Sequence, residues 1–467
     1  MTDSLPEWVL PALAGLDRID VPFAGAEAGT EPFTWGQKAI WRDMQASGNQ
    51  FTMHGLVQLP AGRTVGAVAD LMAGLIGRHA SLRMRLVTGD AGRPCQEIAG
   101  TGQTELYVLT LPDDTDQASL WDFLFRFMNT WHLERLDFQR DWPLRMAVVK
   151  HRGACVAVVW ALSHLAADGG GAVLFFHEVI AADPTGEPPR TQVLDIARSE
   201  QTPELRKLSS RTMRYWETQL RHIPAQTFGE PVHPLDEEEN RYWQVRFASP
   251  AAHLAMLAIA RRTSSDATRV TLAVIATAIG RATGVNPLTI KVMMNNRFRP
   301  GWAGIVAPIA QNSVLTIDLT GKSVDEVVAQ ALAASLTAGM RAYYDPDDLA
   351  EVMARLDTER GYPAAVTCRL NDQRAMVTPP GQEGDPGDVT PEQVKQKLAE
   401  TSLTWLGPRY NMHEQVNILI ENRTDVVSLH MMWDGWSLSR EQVEALLRAV
   451  EEVAVEAAFD PATPAVL

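Results

Sequence analysis

Of the eleven histidines in this 467-residue chain, His164 has the neighbours that most suggest chemistry, with Asp168 four residues later and Gly169 five later. A neutral imidazole is the usual proton-transfer group near pH 7. A glycine in the same loop lets a reacting group approach the backbone closely. A histidine near an aspartate is also a common structural pair, so the spacing by itself leaves both readings open. Other chemistry-bearing patterns fail on their own residues. His177-Glu178-Val179-Ile180-Ala181 begins like a zinc-binding HExxH but has Ala181 where the second ligand belongs. Gly321-Lys322-Ser323 ends like a phosphate-binding loop, but Thr316 stands where its first glycine belongs. There is no GxSxG elbow. Cys95, Cys155 and Cys368 are few, odd in number and far apart, which fits neither a disulfide framework nor a zinc site. No metal is expected, and Asp236 to Glu239 reads as a solvated acidic loop.

The elements around His164 follow from the apolar pattern. Leu144 to Val149 and Cys155 to Leu162 are near-continuous apolar runs parted by a turn at Arg152 and Gly153, which reads as two strands of a buried sheet. Ser163 to Gly171 (SHLAADGGG) then leads into a helical pattern from Ala172 to Ala181. His164 is therefore expected just past a core strand, in a glycine-rich loop ahead of a helix. Upstream, Thr64 caps a helix with Val65, Val68, Leu71, Met72, Leu75 and Ile76 on one face. Downstream, the pattern predicts a buried helix over Val270 to Ile279 and a strand over Leu288 to Met294 that ends at Asn295-Asn296-Arg297. Two helices begin with capping boxes, Ser323 with Glu326 and Ser439 with Gln442. The first runs from Val324 to about Met340, and the second carries Val443, Leu446, Leu447, Val450 and Val453 on one face. The class is mixed α/β or α+β.

Composition bounds the rest. Apolar residues are 46% and charged residues 21%, which excludes a long disordered chain. Lys plus Arg minus Asp plus Glu is 42 − 57 = −15, a balance that argues against nucleic acid and anionic membrane as partners. The longest apolar run is too short to cross a bilayer. The N-terminus has no basic region ahead of Asp3 and Glu7, so the cytoplasm is the expected compartment. Two stretches rich in Pro, Gly and acid break the globular texture. Ala182 to Gln192 reads as a linker between halves and Thr378 to Val389 as a long surface loop.

As a set, several segments resemble nonribosomal peptide synthetase condensation domains, members of the HHxxxDG acyltransferase superfamily. The loop supplies Ser163, His164, Asp168 and Gly169. Phe33 to Met44 (FTWGQKAIWRDM) resembles the opening motif through Gln37 and Trp41. Arg78 to Leu86 (RHASLRMRL) is similar to the RHExLRTxF segment, and Pro143-Leu144-Arg145 and Tyr215-Trp216 to the PLR and YW signatures. Asn295-Asn296-Arg297 stands where the family has its Gly-Arg pair, and Asn312-Ser313 where it has Asn-Thr. The resemblance spans roughly residues 30 to 460.

It implies two chloramphenicol acetyltransferase-like lobes forming a V-shaped pseudo-dimer with an active-site tunnel between them. Residues 1–183 would form the N-terminal lobe, 184–203 the linker and 204–467 the C-terminal lobe. His164 would be the catalytic base and the Gly169 amide the oxyanion donor. Asp168 would be structural and paired with Arg297 of the other lobe, with Arg83 as a second possible partner. Asn312 and Ser313 would line the tunnel. Ser163 replaces the family's first histidine and would orient the loop rather than act as nucleophile. Pro308 and Ala310 also depart from the family's Gly and Phe. No cofactor of its own is implied, since the phosphopantetheine arm of an acyl or peptidyl carrier protein comes as substrate. The expected protein is a free-standing, monomeric condensation enzyme that joins a carrier-bound acyl or aminoacyl thioester to an amine or hydroxyl. The acceptor would be a small molecule or carrier-bound.

Two alternatives stand beside it. One is a CoA- or carrier-dependent O-acyltransferase, for which Asp434-Gly435-Trp436 offers a partial match to the DFGWG element. The other is a non-catalytic condensation-like module that docks a carrier or recruits another enzyme. Because carrier proteins are generally acidic too, docking calls for a local basic surface, with Arg206 to Arg214 and Arg297 to Arg299 as candidates.

Overall fold

The computed structural model describes residues 16–182, 187–228, 241–374, 388–409 and 414–466. The acidic run Asp236 to Glu239 and most of the loop expected from Thr378 to Val389 lie outside the described residues. Contacts divide the chain into two compact units. The first is Met1–Arg206 with Asn295–Ala310, and the second is Lys207–Met294 with Gln311–Leu467. Arg297, assigned from the sequence to the second lobe, thus belongs to the first unit, because its segment leaves one strand of the second unit and returns to the next.

In the first unit, strands β1 (Asp17–Ala24), β3 (Thr52–Gln58), β6 (Thr101–Thr110), β7 (Leu144–His151) and β8 (Ala154–Ser163) form a sheet in the order β1-β6-β7-β8-β3. A small separate sheet holds β2 (Gly29–Pro32), β4 (Met84–Thr88) and β5 (Pro94–Ile98). The β7–β8 hairpin turns at Arg152 and Gly153, both at positive φ (50° and 76°), as the sequence predicts. Leu162, Val158, Met146 and Leu144 pack on one face against α2 (Val65–Arg78) and α4 (Gly169–Ala181). Ala157, Val159, Ala147 and Val149 face α3 (Gln117–Trp131). This burial on both faces explains the unbroken apolar runs. Thr64 caps α2 as expected, accepting from the Ala67 amide, and Val68, Leu71, Met72, Leu75 and Ile76 are buried.

In the second unit seven strands run in the order β11-β10-β12-β14-β15-β9-β13. Their ranges are β9 (Tyr242–Ser249), β10 (Leu288–Met294), β11 (Gln311–Ile317), β12 (Cys368–Asp372), β13 (Ser402–Arg409), β14 (Val416–Glu421) and β15 (Val427–Asp434). Helices α7 (Pro250–Thr263), α8 (Ala267–Thr283), α9 (Val324–Met340) and α12 (Arg440–Phe459) cover the main core. Both expected capping boxes form, at Ser323 and Ser439. Together with α1 (Trp35–Ser47), α5 (Val193–Ser199), α6 (Pro203–Leu220), α10 (Pro346–Arg360) and α11 (Pro391–Lys397), the mixed α/β class is confirmed. Among the described residues no helix is long and apolar enough to cross a membrane.

Candidate active site

The register of three strands places His164. Ser163 ends β8 opposite Thr52 of β3, its amide donates to the Pro143 carbonyl (2.8 Å), and the His164 amide donates to the Phe51 carbonyl (2.8 Å). The imidazole is half-buried and meets the Phe51 ring edge-on, with centroids 6.5 Å apart. Ser163 is buried, and its hydroxyl accepts from the Leu165 amide (3.3 Å), bracing the turn that follows. At the turn's centre the Leu165 carbonyl accepts from Gln37 Nε2 (3.3 Å). Gln37 is itself fully buried and forms a capping box with Thr34 at the start of α1.

The loop ends at Asp168, and here the structure corrects the expected elements. The glycines after Asp168 are the first turn of α4 rather than loop, because the Asp168 side chain caps the helix by accepting from the Gly171 amide (2.7 Å). Gly169 is therefore the first helical residue. The same carboxylate pairs with Arg297 (2.7 Å) and accepts from the amides of Ile309 (2.9 Å) and Ala310 (2.7 Å). Side-chain exposures of 3% for Asp168 and 10% for Arg297 make this a buried pair. Through its two terminal nitrogens Arg297 also donates to the carbonyls of Ile305 (2.9 Å), Ala307 (3.2 Å) and Asn295 (3.4 Å).

Three glycines make this seat possible. A Cβ on Gly170 or Gly171 would press on the Arg297 guanidinium, and one on Gly36 would overlap the Pro308 carbonyl oxygen. Ser81 also holds the returning segment, donating to the Val306 carbonyl (2.6 Å). Sequence reasoning missed these supports. Gly36 sits beside the quoted Gln37, and the Gly-Gly-Gly run was visible, but backbone amides such as those of Ile309 and Ala310 leave no side-chain signal.

Arg83 is not a second partner of Asp168. It is buried and donates to the carbonyls of Ile76 (3.1 Å), Glu27 (2.6 Å) and Ala99 (2.5 Å), and burial pushes its guanidinium below its ordinary pKa. Nearby, His79 Nε2 lies 2.8 Å from Glu178, the acid of the rejected HExxH-like run, and so ties α2 to α4. Asn312 and Ser313 lie on β11 in the second unit, where the Ser313 hydroxyl donates to the Arg341 carbonyl (3.4 Å). Asp168, Gly169 and Arg297 thus meet at the end of the loop that His164 begins, Arg83 serves elsewhere in the first unit, and Asn312 and Ser313 belong to β11 of the second.

The condensation-domain family model matches residues 28–358, well over half of the chain. The chain belongs to the condensation-domain family. Comparison with curated proteins gives no match. Among solved structures, the condensation domain is similar to the X-domain from teicoplanin biosynthesis (TM-score 0.69, 16% identity, covering 95% of this chain and 98% of that one). It is similar to the SgcC5 protein from Streptomyces globisporus (TM-score 0.66, 18% identity, 93% and 100% covered). It is also similar to a condensation domain for chain release from the enacyloxin polyketide synthase (TM-score 0.68, 18% identity, 92% and 82% covered). At these identities the likeness concerns the fold. In this condensation domain the family signatures do different jobs. Gln37 braces the loop, the RHASLR stretch supplies His79 and Arg83 as struts, and Tyr215 donates to the Val314 carbonyl (2.7 Å).

Proposed function

We propose that this condensation-domain protein catalyses acyl transfer from a carrier-bound thioester to an amine or hydroxyl, giving an amide or an ester in natural-product assembly. The acceptor atom attacks the thioester carbonyl, the carbon–sulfur bond breaks, and the phosphopantetheine thiol leaves with a proton. His164 takes or positions the acceptor's proton, a contribution of about 10² to 10⁴ in rate. The Gly169 amide, in the first turn of α4, is the donor for the developing oxyanion.

The observation that carries this reading is the occupancy of Asp168. Its carboxylate is taken up by Arg297 and three backbone amides. It therefore anchors the loop, which leaves His164 as the proton-transfer group at the end of β8. The Ser163 hydroxyl accepts from the Leu165 amide and remains a loop brace. The test is turnover of acyl-loaded carrier protein with amine and alcohol acceptors, read by intact-mass spectrometry. Product that depends on His164 supports the assignment, and wild-type turnover by His164→Ala overturns it.

A second reading is a recruiting module, supported by the X-domain from teicoplanin biosynthesis having been solved in complex with OxyB. Carrier binding without turnover across a broad acceptor panel would favour it. Acylation from CoA alone would favour a CoA-dependent acyltransferase instead.

A further inference from the structure

We infer that the exposed face of α6 (Pro203–Leu220) docks an acidic helical surface, that of the carrier protein in the proposed reaction; the inference rests on that reading. On this helix Ser209, Thr212, Met213, Trp216 and Leu220 are buried. Lys207, Arg211 and Arg214 are exposed. Their spacing of four and three residues puts them on one side of the helix, rising by about 6 Å and 4.5 Å. None of the three has an acidic partner among the described residues. On the helix itself Glu204 lies three residues before Lys207 and Glu217 three after Arg214, and neither pairs with any of the three.

The far end of the same helix is built differently. Glu217 is held by Arg221 and Arg355 (2.9 Å), and Arg221 also reaches Glu359 (2.9 Å). These arginines hold the Glu217 carboxyl at about 2, well below the usual carboxylate range. Like charges three and four residues apart weaken a helix unless something external offsets them. In a chain of net charge −15, this uncompensated cationic stripe is where an acidic partner meets attraction rather than repulsion. Carboxylates spaced one helical turn apart on the partner match it, and a nucleic-acid backbone is disfavoured by the overall charge.

The probe is an octanoyl-loaded acyl carrier protein, and the variant is Lys207→Glu/Arg211→Glu/Arg214→Glu. The variant is checked for an unchanged circular dichroism spectrum and backed by a triple Gln variant should it fail to fold. Wild-type affinity for the carrier, measured by calorimetry, is expected to fall at least tenfold from 50 to 300 mM salt. The variant is expected to bind at least tenfold more weakly at low salt and to lose most of this salt dependence. Carrier-bound octanoyl turnover should drop in parallel, while turnover of the octanoyl N-acetylcysteamine thioester, which needs no docking, stays as in wild type. Equal carrier affinity in both proteins, no carrier binding by wild type, or stronger binding of a DNA oligomer or a second copy of the chain overturns the inference. Carrier binding that depends on the stripe without turnover of either thioester removes the catalytic reading and leaves the docking surface standing.

Discussion

Two strand–loop–helix segments, one in each unit, share a scaffold and differ in what they carry. In the first unit β6 runs parallel to β7, β7 pairs antiparallel with β8, and β8 with β3; in the second, β12, β14, β15 and β9 repeat that order and sense. Each hairpin leads through a short loop into a helix against the sheet, and an aspartate at one end of each loop pairs with an arginine from another segment. The first loop places His164 directly after the strand and closes with Asp168, which caps α4 and grips a segment returning from residue 295 onward. In the second, Asp434 ends the strand itself and takes a two-pronged grip from Arg241 (2.9 and 2.6 Å). That leaves Ser439 to cap α12, and no histidine occupies the loop. The scaffold is common to both segments and the histidine after the strand is specific to one, so the fold by itself says little about activity.

The comparison breaks most sharply at His164. His164→Ala should lower carrier-dependent turnover by about 10² to 10⁴ with little change in thermal stability. His430→Ala on β15 should leave turnover as it is; kinetics on both variants checks the contrast. Next come the two aspartates. Asp168→Ala strands Arg297 in a buried site and should cost about 3 to 5 kcal/mol in urea denaturation. Arg241 is 40% exposed and can be rehydrated, so Asp434→Ala should cost about 1 to 2 kcal/mol.

A smaller difference is expected at the glycines. Gly36→Ala forces the Pro308 segment away from Asp168 and should cost about 2 to 3 kcal/mol. A Cβ on Gly435 would lie 2.9 Å from the Arg241 carbonyl, and Gly435→Ala should cost about 1 kcal/mol, read the same way.

The least effect concerns acid. On the first sheet, His54 of β3 stacks on His132 after α3 (centroids 3.9 Å), and burial plus the neighbouring ring push His132 down to about 4. The unfolded chain binds that proton near 6.5 and the folded one only near 4, so stability should fall as pH drops from 6.5 to 4 and level off below. With the side chain half-buried, the loss should be about 1 to 2 kcal/mol, and His132→Phe should flatten this slope in denaturation curves taken across that range.

Much of the fold was legible because local rules agreed with the tertiary outcome. Strands over 144–149, 155–162 and 288–294, the helix at Thr64 and the capping boxes at Ser323 and Ser439 all appear with shifts of a few residues at most. The glycine run after Asp168 misled because glycine signals a loop, whereas its lack of a Cβ serves here to seat a guanidinium against a helix. Arg83, which the resemblance offered as a second partner for Asp168, donates to three carbonyls instead, and backbone acceptors leave no mark in a sequence.

The sequence alone determined the residue types and their spacing: a histidine one step beyond a core strand, an aspartate four residues later in a glycine-rich stretch, and an arginine at residue 297. Periodicity and capping are local, so a linear reading recovers them. Only the tertiary structure decided that the 295–310 segment belongs with the first unit, and that the Asp168 carboxylate is filled by Arg297 and three amides. Apart from the Gly171 amide three residues on, those contacts join residues more than a hundred positions apart, two of them through backbone amides that every residue but proline has, so their choice rests on packing.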